Sequence, residues 1–94
     1  MSVSVMEQDK IAELEEKYAN EDIKSLIGTL SGLCGINVFV GREAGVYYGL
    51  IDFRNFVLGK YDLLEDSEKQ IHKADLEEVL EEVEDELKSL KRYL

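Results

Sequence analysis

The chain has 94 residues and a formal charge of −10, which makes it one domain with one core, folding burying only roughly 60–70% of the surface that the unfolded chain exposes. Such an acidic balance argues against direct nucleic-acid binding, which needs Lys and Arg at phosphates, and against docking on an anionic membrane. A single cysteine leaves no internal disulfide framework.

The charge is unevenly spread: residues 1–22 sum to −5, residues 23–61 to +2 and residues 62–94 to −7. Acidic ends therefore flank a nearly neutral, aromatic centre. No run approaches the roughly 18 apolar residues of a membrane span. Met1 to Met6 is short and uncharged, unlike a secretory leader. The expected setting is the reducing cytoplasm.

Taken in order, residues 1–5 show no pattern and are expected to fray as a disordered tail. From Glu7 to Ala19 the period is helical, with Ile11, Leu14 and Tyr18 on one face. Run antiparallel to the last helix, this segment would bring Lys17 near Glu86 and Glu15 near Lys91. Asn20 can cap a second helix, whose first turn holds Glu21 and Asp22 and whose buried stripe is Ile23, Leu26, Ile27, Leu30 and Leu33. Gly32 or Gly35 ends it. Residues 7–33 are thus expected to form a helical hairpin.

The middle alternates with a period of two. Ile36, Val38 and Val40 predict a strand over 36–40, Gly41 to Gly45 a five-residue hairpin loop, and Val46 to Phe53 a second strand. Arg54-Asn55 would turn the chain into a third strand from Phe56 to Tyr61, although Leu50, Phe53, Phe56 and Val57 also fit a helical face. The second strand would be apolar on both sides, leaving one face for a partner or a second copy. The run Leu33–Val40, followed by a turn and Gly45-Val46, resembles the opening of a Roadblock-type dimerisation domain. The helix that such a domain carries between its second and third strands is missing from this sequence, so the resemblance implies nothing further.

After Asp62–Asp66 as a linker, Ser67 and Gln70 make a capping box. The last helix, 67–94, carries Leu76, Leu80, Val83, Leu87, Leu90 and Leu94 at alternating spacings of four and three. That is a coiled-coil seam, and it predicts self-association. Its other faces carry Asp75, Glu77, Glu78, Glu81, Glu82, Glu84, Asp85 and Glu86, with no cation between Lys73 and Lys88.

Catalytic candidates are few. Cys34 sits at the C-terminal end of a helix, where partial negative charge raises a thiol's pKa, and His72 has no partner fixed by sequence. One Cys and one His cannot make a zinc site within a chain. The glutamates lack the turned loop that gathers oxygens around calcium. Gly41 to Gly45 with Arg42 lacks the Lys and Ser/Thr of a nucleotide loop.

The expectation is an α+β fold: two N-terminal helices, a short antiparallel β-sheet of two or three strands over 36–61, and a long C-terminal coiled-coil-like helix. Its function is expected to be non-enzymatic, without cofactor or metal. It would be an adaptor that self-associates through the leucine seam and binds a protein partner through Phe39, Arg42, Tyr47, Phe53 and Arg54. The alternative is an acidic nucleic-acid mimic that occupies the basic groove of a nucleic-acid-processing protein.

Overall fold

A computed structural model describes the backbone of residues 3–35 and 42–94, with side chains from Lys10 onward in those stretches. Four helices follow one another: α1 (Val3–Lys17), α2 (Ile23–Cys34), α3 (Glu43–Asp62) and α4 (Asp66–Lys91). Helices α2, α3 and α4 pack on one another, and α1 packs on α3 alone among the described residues. The molecule measures 42 × 29 × 20 Å, its long axis close to the roughly 39 Å that the 26 residues of α4 span at 1.5 Å each.

The expected α+β architecture is overturned. Residues 43–62 form one helix, where the second and third strands, the end of the hairpin loop and the Roadblock-like hairpin were expected. No strand occurs among the described residues. The first expected strand, 36–40, lies outside them. The physical reason is that α3 packs against three helices, α1, α2 and α4. A helix with several neighbours carries apolar residues on more than one face, and that pattern also satisfies alternation. The core settles the period: Leu50, Phe53, Phe56 and Val57 are buried, at the three- and four-residue spacings of a helix face.

Three helix boundaries also differ from expectation. Helix α1 begins at Val3, inside the stretch expected to fray. Asp22 rather than Asn20 caps α2: its Oδ1 accepts a 2.8 Å bond from the Ser25 amide, satisfying one of the orphan donors of the first turn. Helix α4 begins just before the expected cap Ser67, behind an extended Glu65 whose side chain makes no capping bond. Gly35 closes α2, its amide donating back to Gly32 and Leu33.

The core is built from Leu26 and Leu30 of α2, Val57 of α3 and Val83 of α4, the largest wholly enclosed side chains. Around them lie Ile23, Ile27, Leu50, Phe53, Phe56, Leu76, Val79 and Leu87. An aromatic cluster ties the end of α1 to α3. The Tyr18 ring stands edge-on to Phe53 at 5.2 Å between centroids and tilted against Phe56 at 6.2 Å. On the same interface Lys10 Nζ lies 3.8 Å from Oδ2 of the buried Asp52. Because α1 does not touch α4 among the described residues, the expected approaches of Lys17 to Glu86 and of Glu15 to Lys91 are not made. The α3–α4 turn is tied by the Tyr61 hydroxyl, which donates to the Lys69 carbonyl at 2.9 Å.

Candidate functional site

The residues expected to contact a partner are dispersed. Phe53 is 3% exposed and belongs to the core. Arg42 is exposed at the start of α3, and Phe39 lies outside the described residues. Tyr47 is half-buried, with its ring edge-on to exposed Tyr48 at 5.2 Å. Arg54 is half-buried, its Nη2 donating to Asn55 Oδ1 at 3.3 Å. Tyr47 and Arg54, seven residues apart, share one face of α3; Phe53 points elsewhere.

The seam is largely occupied inside the chain. Leu76, Val83, Leu87 and Leu90 are buried, Leu80 is half-buried, and Leu94 lies past the helix end at 54% exposure. Val79, which the heptad reading passed over, is buried in Leu80's stead. The buried stripe of α4 is thus 76, 79, 83, 87 and 90, and α4 packs against α2 and α3.

What the fold does assemble is an apolar slot where three helices meet. Leu14 of α1, Leu33 of α2 and Val46, Gly49, Leu50 and Phe53 of α3 line a cavity of about 260 Å³. Ligand pockets usually run to roughly 300–1,000 Å³ with a few convergent polar groups. This one is smaller, and its lining among the described residues is apolar. The spacing 46, 49, 50, 53 would have revealed it had the segment been read as a helix. Leu14 and Leu33 come from separate helices, and nothing in the sequence brings them together.

On the other side of the last turn of α2 lies an acidic hollow formed by Ser31, Cys34 and Gly35 with Glu82, Asp85 and Glu86 of α4. Ser31 Oγ donates to Glu82 Oε2 at 3.0 Å. The Cys34 thiol, whose Sγ donates to the Leu30 carbonyl at 3.5 Å, is pushed above the ordinary thiol range, first by burial and then by Glu82 and Glu86. Cys34 is therefore poorly disposed to form thiolate. His72 lines a separate cavity with Asp22 at the opposite end of α2, roughly 18 Å away over 12 helical residues, so the two do not form a nucleophile–base pair. In that cavity Lys24 and Lys60 face Glu21, Asp22 and Glu68, charges of opposite sign in one place. Asp22 is held below the usual carboxylate range by its bond from the Ser25 amide.

Among the described residues no three His, Cys, Asp or Glu side chains are grouped to hold a metal ion, and no helix is long and apolar enough to cross a membrane. Comparison with known proteins yields no relative: no family model matches the sequence, and no curated protein or solved structure matches it significantly.

Proposed function

We propose that the chain is a non-enzymatic protein-binding module whose partner docks at the slot between α1, α2 and α3. The observation that carries this reading is the slot itself: an apolar recess walled by three helices, with five of its six lining residues in the least acidic part of the chain. Apolar anchors seated in such recesses supply most of the energy of protein interfaces. The leucine seam is less suited to this role, since four of its residues already sit in the chain's own core. The test is affinity capture on the immobilised protein at low and high salt, with a Val46→Asp bait beside it. A slot-bound partner stays at high salt and is lost from the Val46→Asp bait. Equal capture by both baits rejects the slot.

A second reading, the acidic nucleic-acid mimic, is favoured by a different observation. The eight carboxylates from Asp75 to Glu86 include none in an ion pair among the described residues. A partner held by their charge alone leaves steeply as salt rises and is indifferent to Val46.

A further inference from the structure

The apolar slot and the acidic hollow are neighbours, separated by one turn of helix. Leu33 faces the slot, while Ser31, Cys34 and Gly35, from the same turn of α2, face Glu82, Asp85 and Glu86. The ridge between them is one helix wide, roughly 10 Å. The negative pole of the α2 dipole ends on that ridge and adds to the three carboxylates. None of the three has a cationic partner among the described residues. In the same hollow the Cys34 thiol is raised first by burial and then by Glu82 and Glu86.

From this juxtaposition we propose that the partner presents a cationic amphipathic helix that straddles the last turn of α2. Its apolar side chains enter the slot and its Lys or Arg side chains reach over Glu82, Asp85 and Glu86. The proposal rests on the binding-module reading and adds the chemistry of what is bound. Apolar anchors at i, i+3 or i+4 and i+7 are the common way for a helix to fill a groove. A lysine or arginine one turn away from such an anchor spans the ridge to the hollow. An acidic or neutral helix would fill the slot equally well but offer no cation to the three carboxylates, so charge decides between them.

The probe is a fluorescein-labelled leucine–lysine peptide of heptad pattern, read by anisotropy. Two controls accompany it, one with glutamate for lysine and one with alanine for leucine. The native protein is expected to bind the leucine–lysine peptide at least about tenfold more tightly than either control. Gly49→Leu, which fills the slot, should weaken it about tenfold, with Val46→Asn as the second slot variant should Gly49→Leu lose helicity. Glu82→Lys with Glu86→Lys should weaken it similarly and flatten its salt dependence. The matched reversal Glu77→Lys with Glu81→Lys, away from the hollow, should change it less than about threefold. Equal losses from the two reversals would mean diffuse attraction and overturn the proposal, as would binding indifferent to both slot variants. Absence of peptide binding, while a captured protein still depends on Val46, would reject the cationic helix and leave the binding module standing.

Discussion

The decisive perturbation for the architecture is Val83→Asp. Val83 is 0% exposed at the middle of α4 and packs in the cluster with Leu26, Leu30 and Val57. Removing its apolar burial costs about 1.5–3 kcal/mol, and an aspartate is too short to carry its charge from that depth to water. An unpaired buried charge adds a further 3–5 kcal/mol or so. The whole stability of a chain this size is about 5–14 kcal/mol, so a loss of roughly 4.5–8 kcal/mol should unfold the chain at 25 °C at the low end of that range and lower its melting temperature by tens of degrees at the high end. Leu94→Asp, at the exposed end of the same sequence pattern, should stay within about 0.5 kcal/mol of the parent. Far-UV circular dichroism with sedimentation velocity reads both effects, and melting across a range of protein concentrations supplies the check. A seam closed within one chain melts at a temperature independent of concentration, whereas a seam closed between chains melts higher as concentration rises. A Val83→Asp protein that keeps its helicity and merely loses mass would place the seam between chains and refute the packing described above.

Other substitutions test smaller features. Gly28 lies on the exposed face of α2, and a Cβ there meets nothing within 4 Å, so Gly28→Ala should stabilise the fold by roughly 0.5–1 kcal/mol in a denaturant titration. Tyr61→Phe removes the bond to the Lys69 carbonyl and should cost about 1 kcal/mol by the same titration. Because its folded-state pKa is raised, Cys34 should react with a maleimide at neutral pH more slowly in the native protein than in denaturant, and Glu82→Gln with Glu86→Gln should narrow the gap by removing two of the charges that raise it.

How far the sequence carries the structure differs from helix to helix. In α2 the stripe Ile23, Leu26, Ile27 and Leu30 is what becomes buried, because a surface helix shows one apolar face and little else. Much of the α4 stripe is readable for the same reason. What covers a stripe is not written in it: the partner of α4 is α2 with α3, and α3 is the segment whose pattern suggests a sheet. In contact with three helices, α3 combines Val46, Tyr48 and Leu50 at strand spacing with Val46, Leu50, Phe53 and Val57 at helix spacing. Its aromatic and β-branched residues favour the strand reading by propensity, and tertiary packing overrides that preference. The same error turned Phe53 from a core residue into a supposed contact. The slot was illegible for a further reason, since its walls depend on where α1 crosses α3.

The charge on α4 has a thermodynamic consequence that the fold makes measurable. With Leu76, Val79, Val83, Leu87 and Leu90 turned inward, the carboxylates from Asp75 to Asp85 are exposed and Glu86 is half-buried. The residues Glu77 and Glu81, Glu78 and Glu82, Glu81 and Asp85, and Glu82 and Glu86 stand four apart as like charges. Each such pair destabilises a helix by about 0.2–0.5 kcal/mol at low salt, together roughly 1–2 kcal/mol. Raising the ionic strength from about 0.01 M to 0.15 M shortens the screening length from about 30 Å to 8 Å. The melting temperature should therefore rise with salt, by several degrees at the roughly 4–8 °C per kcal/mol expected for a small domain. A cationic helix seated on Glu82, Asp85 and Glu86 would relieve the same repulsion and stabilise the fold by mass action, so the gain from the leucine–lysine peptide should shrink as salt rises. A melting temperature that is flat or falls with salt would mean that the repulsion along α4 is already neutralised, and the case for a cationic partner would fall with it.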